Sequence, residues 1–335
     1  MSSQINIIHS SKNYKNGPSV LTIGNFDGVH IGHQKLIHHV VEIKKERNLR
    51  SCVFTFEPSP RSVLSPKTKP VRIANWVDKI VWLEEFGIEN IILEPFSKAF
   101  AQHSAEWFVD EILVHRLQTQ VLIVGYDFRF GRARSGTIEM IRQRAPNIEI
   151  YQYPPLLIED IQNEYLAGND YQDVLKKIPF KTIVSSTLIR NVILDGEMKL
   201  AQILLSRPHK IEGVVVSGMQ RGRKIGFPTA NIFSKTELIP STGVYAVFVK
   251  IDTERKPLKA MANLGVQPTF NGHSFQVEVH IFDFNRNIYS SSVEIFFIKK
   301  LRSERKFSSS DELVEQLKID KQKSVALLDQ ESLTF

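Results

Sequence analysis

Two histidines three residues apart, His30 and His33, close the string Gly24-Asn25-Phe26-Asp27-Gly28-Val29-His30-Ile31-Gly32-His33, which lies where a short apolar run gives way to a helical repeat. Glycine lets a backbone approach a ligand closely, and a helix N-terminus offers free N–H groups and the positive end of its dipole to an anion. Imidazoles placed there can donate hydrogen bonds to a polyphosphate and stabilise charge developing on a bridging oxygen. A second anion site is suggested by Ser185-Ser186-Thr187-Leu188-Ile189-Arg190, where hydroxyls and a guanidinium enter an amphipathic segment. Taken alone, that Ser-Ser-Thr run also reads as an ordinary helix N-cap.

A different phosphate chemistry is written further on. Gly218, Gly222 and Gly226 recur at every fourth residue, with Arg221, Arg223 and Lys224 among them, a composition that suits a loop closing over phosphates. No Gly-Lys-Ser/Thr ends the run, so it is not a Walker A loop. Pro228-Thr229-Ala230-Asn231 follows, and the side-chain oxygens of Thr229 and Asn231 suit a Mg2+ ion that keeps waters and binds nucleotide phosphate. In the alternating run Phe275-Gln276-Val277-Glu278-Val279-His280-Ile281, the residues Gln276, Glu278 and His280 share one face. A carboxylate there can take a proton from an alcohol, or belong to a solvated polar face.

Elements must hold these strings in place. Residues 19–23, 51–56, 91–93 and 121–124 are short apolar runs, and Leu36, Ile37, Val40, Val41 and Ile43, then Val77, Ile80, Val81, Leu83 and Phe86, recur at helical spacing between them. Ser104 is placed to cap a helix running to Val114. Strands alternating with helices predict an α/β fold with a parallel sheet and flanking helices. From Gly213 the texture changes to β-rich runs at 213–216, 244–250, 260–264, 275–282 and 292–298, broken by turns such as Asn271-Gly272, which predicts a barrel or sandwich. A terminal helix follows Ser310-Asp311, with Leu313, Val314 and Leu317 on one face, and a boundary falls near Leu205-Ser206-Arg207-Pro208.

Bulk composition narrows the class. The chain has 335 residues, 42% hydrophobic and 24% charged, enough for two ordinary cores. The net charge of +7 suits small phosphorylated substrates as well as nucleic acid. No DNA-binding motif accompanies the basic run at residues 299–306, so no nucleic-acid partner is expected. The lone cysteine, Cys52, excludes an intramolecular disulfide, and its apolar neighbours predict burial. No stretch approaches the ~18 apolar residues that span a bilayer, and no basic region leads an apolar one at the start. A cytoplasmic protein without a membrane partner is expected.

The string at residues 24–33 resembles the Gly-x-Phe-Asp…His-x-Gly-His signature of the nucleotidyltransferase superfamily. Class I aminoacyl-tRNA synthetases share its second half, but their Lys-Met-Ser-Lys-Ser-type motif is absent here. Gly125-Tyr126-Asp127-Phe128-Arg129-Phe130-Gly131 and Phe54-Thr55-Phe56-Glu57-Pro58-Ser59-Pro60-Arg61 look like loops of the prokaryotic bifunctional riboflavin kinase/FMN adenylyltransferase (FAD synthetase) family. Gly218–Asn231 strings, Gly243-Val244-Tyr245-Ala246, residues 263–270 and 277–280 resemble its kinase half, in order. The resemblance runs from about residue 18 to residue 320. It implies a Rossmann-like adenylyltransferase domain at residues 1–205 and a riboflavin kinase β-barrel with a terminal helix at 206–335. It also implies flavins (riboflavin, FMN, FAD) as substrates and products, ATP as co-substrate, and Mg2+ on the ATP phosphates.

By the same resemblance, the adenylyltransferase site is Gly24, Asn25, Phe26, Asp27, Gly28, His30, His33, Asp127, Phe128, Ser186, Thr187 and Arg190, with Asp127 orienting either FMN or ATP. The kinase site is Gly218, Gly222, Arg223, Gly226, Pro228, Thr229, Asn231 and Arg302, with Glu278 as base and Arg302 meeting the flavin ring or ribityl chain. Ser59, Ser206 and His209 stand where the family often carries His, Gly and Tyr. The span between Gly136 and Ser185 exceeds the family pattern by roughly ten residues, an excess that loops tolerate. A catalytically silent flavin-binding regulator, or one active domain beside a degenerate one, are the competing readings, and turnover of the two half-reactions separates them.

Overall fold

Six parallel strands, β1 (Asn6–His9), β2 (Ser19–Ile23), β3 (Arg50–Phe56), β4 (Asn90–Glu94), β5 (Thr119–Gly125) and β6 (Glu149–Tyr153), form one sheet in the order β1-β4-β3-β2-β5-β6. The computed structural model describes residues 5–68, 70–164, 172–218, 221–269 and 272–331. It divides into two compact units, residues 1–172 with 176–186, and 173–175 with 187–335.

Both faces of the sheet are covered, which is why its strands read as continuous apolar runs. Val20, Val53, Ile91, Val121 and Ile123 pack under helix α1 (Ile31–Arg47) and helix α2 (Trp76–Glu85), through Ile37, Val40 and Leu83. The alternate residues Leu21, Cys52, Phe54, Ile92, Leu122 and Val124 pack against the opposite layer, through Ile112, Leu113 and Ile138, the last on helix α3 (Ile138–Arg144). Cys52 is fully buried as expected, and burial pushes its thiol up to about 12. Ser104 caps its helix by accepting from the Trp107 N–H, but beyond Trp107 the helix widens to a π-helix, Phe108–Arg116.

Chain order reverses at β2: β3 and β4 lie to one side of it, β5 and β6 to the other. The loops that follow β2 and β5 therefore open at the topological switch point, where parallel sheets leave a crevice for ligands. Those loops begin at Gly24 and Gly125, the two glycine strings singled out by sequence.

Helix α4 (Ser186–Asp195) begins on the last residue of the first unit, and in the second unit it and α5 (Met198–Leu205) precede a closed antiparallel barrel of order β10-β11-β8-β7-β12-β9. Its strands are β7 (His209–Val216), β8 (Ala230–Ser234), β9 (Gly243–Ile251), β10 (Leu258–Thr269), β11 (Gly272–Ile281) and β12 (Ser292–Arg302). Of the barrel-or-sandwich alternatives, the barrel is what forms. Helix α6 (Ser310–Leu328) lies outside it, with Val314, Leu317 and Leu328 against Ala246, Phe248, Met261 and Phe296. Ser309 caps α6 by accepting from the Glu312 N–H, and the Glu312 carboxylate accepts from Ser308 in return. Within the excess between Gly136 and Ser185, residues 165–171 lie outside the described residues, as do Met219, Gln220, Phe270 and Asn271.

Candidate active sites

His30 is the N-cap residue of α1 and His33 sits in its first turn, so one helical turn brings the imidazoles face to face, with centroids 3.6 Å apart and planes 21° from parallel. Gly32 leaves space for the His30 ring, because a Cβ there would stand 3.3 Å from it. The loop before the helix is tightly wound. Phe26 is buried in a left-handed conformation at φ 48°, ψ 37°, and its ring meets His33 edge-on at 5.1 Å. Gly28 has φ +76°, and a Cβ on it would come 2.9 Å from Ile73 Cγ2. A side chain at that position would be strained and would also collide.

Hydrogen bonds from several elements tie this loop down. Asp27 Oδ1 accepts from the Ile73 N–H at 3.1 Å, and the Asp27 carbonyl accepts from the Ser186 hydroxyl at 3.1 Å. The Asn25 carbonyl accepts from Lys79 Nζ at 2.8 Å. Lys79, on α2, is only 7% exposed; burial pushes its ammonium down to about 8, and the carboxylates of Asp27 and Glu57 oppose that fall. Ser186 thus meets the histidine loop through the Asp27 carbonyl. Thr187 and Arg190 belong to the second unit, one and four residues further along α4, with Thr187 exposed and Arg190 half-buried.

Beyond the end of β2 lies a cavity of about 570 Å³ lined by Ile23, Phe56, Phe96, Phe100, His103, Phe108, Phe128 and Phe130, with Arg61, Arg129 and Arg134 also on its wall. Phe128 stacks near Phe130 at 5.5 Å, and His103 lies flat on Trp107 at 3.7 Å. Asp127, one residue before Phe128, is exposed, and its carbonyl accepts from Arg134 Nη2 at 3.1 Å. Asp127 itself is not on the cavity wall. Ser59 caps the short helix Pro60–Leu64 by accepting from the Ser62 N–H.

In the barrel, strand register sets Glu278 between Asn231 on β8 and Asn263 on β10. Gln276 Nε2 donates to Glu278 Oε1 at 2.6 Å and to Asn231 Oδ1 at 3.2 Å. A cavity of about 550 Å³ is lined by Gly222, Thr229, Asn231, Asn263, Gln276, Glu278, His280, Arg302 and Phe307. Gln276, Glu278 and His280 therefore share a face, as the alternation predicts, and that face lines the cavity. The His280 Nδ1–H donates to the Pro228 carbonyl at 2.8 Å, and burial pushes this imidazole below its ordinary value against that bond. A second cavity of about 330 Å³ is lined by Arg223, Pro228, Thr229, Ala230, Asn285, Arg286 and Tyr289.

Thr229 lines both cavities. Gly218 packs on the site: a Cβ there would fall 2.0 Å from Asn231 Nδ2. Gly222 and Arg223 lie on the short helix Arg221–Lys224, and Gly226 follows in the turn leading to Pro228.

Arg302 lines the larger cavity, and its guanidinium is held from behind. Nε and Nη2 donate to Asp320 Oδ2 at 2.9 Å each, and Nη1 donates to the Ser303 carbonyl at 3.2 Å. Asp320, on α6, is 1% exposed, and its Oδ1 accepts from Gln316 at 2.8 Å. Sequence reasoning singled out neither Asp320, Lys79 nor the aromatic cavity. The one available signal was polar residues placed on otherwise apolar helix faces.

The FAD synthetase family profile matches residues 12–162 and the riboflavin kinase profile residues 205–328. Proteins named bifunctional riboflavin kinase/FMN adenylyltransferase are similar over nearly the whole chain. The one from Buchnera aphidicola subsp. Schizaphis graminum is 36% identical, covering 93% of this chain and 95% of its own. Those from Escherichia coli K12 and Bacillus subtilis 168 are 36% and 35% identical, covering 93% and 92% of this chain and 94% and 92% of theirs. A crystal structure described as a macrolide-efflux protein from Streptococcus pneumoniae superposes with a TM-score of 0.80 at 31% identity, covering 96% of this chain and 99% of that one. Among the described residues no helix is long and apolar enough to cross a membrane. With both enzymatic domains present and relatives of this identity covering nearly its full length, the chain belongs to the bifunctional riboflavin kinase/FMN adenylyltransferase family.

Proposed function

We propose that residues 206–335 convert riboflavin and ATP to FMN and ADP, and that residues 1–205 convert FMN and ATP to FAD and pyrophosphate, with the site residues named above in these roles. The observation that carries the kinase assignment is the position of Thr229, common to the walls of two cavities. The larger, with Glu278 and Arg302, takes riboflavin; the smaller, flanked by Arg223 and Arg286, takes ATP. Glu278 removes the proton of the ribityl hydroxyl as its oxygen attacks the γ-phosphorus, and Gln276 fixes the carboxylate. The N–H bonds of Arg302 to Asp320 and Ser303 fix its guanidinium on the cavity wall, with Cζ 5.6 Å from the Phe307 ring centre, where it meets the flavin.

Thr229 and Asn231 are neutral oxygen donors on adjoining positions of the wall, a set that fits Mg2+ shared with nucleotide phosphates. The ion would neutralise phosphate charge there. No carboxylate cage is needed, in keeping with a cation that arrives with its nucleotide.

For adenylyl transfer, the apolar and aromatic cavity after β2 suits an isoalloxazine ring, and Arg61, Arg129 and Arg134 suit its phosphate. That phosphate attacks the α-phosphorus of a second ATP, whose pyrophosphate departs. His30, His33 and the N-terminus of α1 stabilise the charge, while Ser186, Thr187 and Arg190 hold the triphosphate. Asp127, exposed beside the cavity, orients the FMN phosphate or the ATP. All these substrates are small cytoplasmic metabolites, and the cytoplasm is the proposed place of action.

The test is an incubation of the chain with riboflavin, ATP and Mg2+, with the flavins resolved over time. FMN that rises and then passes into FAD supports both assignments. FMN that accumulates without FAD refutes the N-terminal one, and bound flavin without product refutes both.

A further inference from the structure

Among the described residues, Lys79 is the only lysine or arginine in the buried class. Burying an ammonium is costly unless it is paired or hydrogen-bonded, and a helix that only needed to cover the sheet would carry an apolar residue here. Its neighbours on α2 do so: Leu83 is fully buried. What holds the charge in place is the loop before α1. Lys79 Nζ donates to the Asn25 carbonyl at 2.8 Å, with Asp27 and Glu57 supplying negative charge nearby.

The peptide that Lys79 grips joins Asn25 to Phe26, just before the histidine pair. A trans peptide is planar and directs its C=O and its N–H to opposite sides. Fixing the Asn25 carbonyl toward α2 therefore turns the Phe26 N–H away from it. Phe26 and Val29 both have positive φ, at 48° and 39°, conformations that L side chains rarely adopt. Such a loop persists only where its surroundings over-determine it. The Ile73 N–H on Asp27 and the Ser186 hydroxyl on the Asp27 carbonyl hold its far side. Lys79 holds the near side. Without it the 25–26 peptide is free to turn over, and a carbonyl oxygen would replace an N–H donor where phosphate is to bind.

We propose that Lys79 is a positioning residue for adenylyl transfer: its ammonium fixes the Asn25–Phe26 peptide so that the Phe26 N–H faces the triphosphate. Lys79 does not touch the substrate; it acts through the backbone. The inference rests on adenylyl transfer being the reaction of this domain.

Lys79→Met keeps the side-chain length and removes the donor. Loss of one preorganised backbone donor typically lowers turnover about 100-fold or more. The expected result is a fall of that order in kcat for FMN to FAD. The KM for FMN and the rate of FMN formation stay unchanged, and the melting temperature falls, because the Asn25 carbonyl and the Asp27 carboxylate lose a buried partner. Lys79→Arg, which can still donate, should recover a large part of the rate. A purely structural lysine predicts the same lower melting but a normal kcat for the folded fraction, and that result overturns the proposal.

A second measurement needs no variant. In the unaltered chain labelled with 15N-phenylalanine, the Phe26 amide proton should move downfield on saturation with ATP, and an unmoved resonance overturns the proposal. If the unaltered chain makes no FAD at all, the domain assignment fails first. If it makes FAD and Lys79→Met does so equally fast, only the role of Lys79 fails.

Discussion

Replacing Asp320 by alanine isolates what the carboxylate behind Arg302 contributes. Both Asp320 oxygens are engaged: Oδ2 accepts two N–H bonds from Arg302 and Oδ1 accepts one from Gln316. Removing one partner of a buried pair costs about 3–5 kcal/mol, because the other charge stays behind unpaired. The Arg302 side chain is 19% exposed against 1% for Asp320, so partial hydration of the guanidinium sets the lower end, about 3 kcal/mol. At roughly 2–4 °C per kcal/mol for a domain of this size, the kinase unit should melt about 6–12 °C lower.

Asp320→Asn separates charge from hydrogen bonding. Its amide oxygen can still accept from Arg302, and its NH2 can donate to Gln316 once that amide turns over. What is lost is charge assistance, worth about half of each bond, so a cost of about 1 kcal/mol is expected. In both variants the guanidinium is less well held against the flavin cavity, and the KM for riboflavin should rise while FMN-to-FAD turnover is unchanged. Differential scanning calorimetry with separate initial-rate assays reads all three quantities. Equal melting of Asp320→Ala and the unaltered chain, with an unchanged riboflavin KM, would refute the reasoning.

His30→Ala should lower FAD formation by roughly 100-fold and leave FMN formation intact; joint loss of both activities in folded protein would mean the reactions are not divided by domain. Glu278→Gln should slow FMN formation by roughly 10²–10⁴ while supplied FMN still becomes FAD, and an unimpaired kinase would remove Glu278 as base. His209 is buried and pushed down to about 4 from 6.5, with its Nε2–H on the Leu238 carbonyl at 3.0 Å. The unfolded chain takes up that proton below about 6.5 and the folded one only near 4, so this stability is complete above pH 6.5 and lost as pH falls between those values. The loss amounts to about 3 kcal/mol. Acid titration of stability for His209→Tyr should lack that component, and identical curves would exclude His209 as its source.

The strings around His30 and Asn231 were legible because their chemistry is local: glycines, hydroxyls and imidazoles must stand within a dozen residues to make one loop. Partners that arrive from elsewhere in the chain were not. Lys79 lies 54 residues from Asn25 and Asp320 lies 18 from Arg302, and each sits on a helix where a charge ordinarily means a solvated face. The aromatic cavity was hidden for a similar reason. Phe56 ends β3, whereas Phe100 follows β4 and Phe128 follows β5, and only the sheet order brings the three together. Among strands, the reading passed over β1 and β6, which are short edge strands with exposed or half-buried residues, and β8, whose Ala230–Ser234 begins inside the phosphate signature. The π-helix Phe108–Arg116 has no pattern distinct from an α-helix in its apolar spacing.

The two proposed half-reactions make opposite demands on their sites, and the geometry divides the same way. An alcohol must lose a proton to attack ATP, so the kinase cavity carries a carboxylate on its wall, oriented by Gln276. FMN phosphate is already an anion and needs no strong base. At the switch point of the sheet the Asp27 carboxylate is turned back onto the Ile73 N–H, where it secures the loop, and Asp127 lies in solvent. What remains for that site is to hold anions together: a helix N-terminus, a stacked pair of imidazoles and backbone amides kept in place by Lys79. Substituting a base on this side should therefore cost little, whereas disturbing the backbone should cost most of the rate.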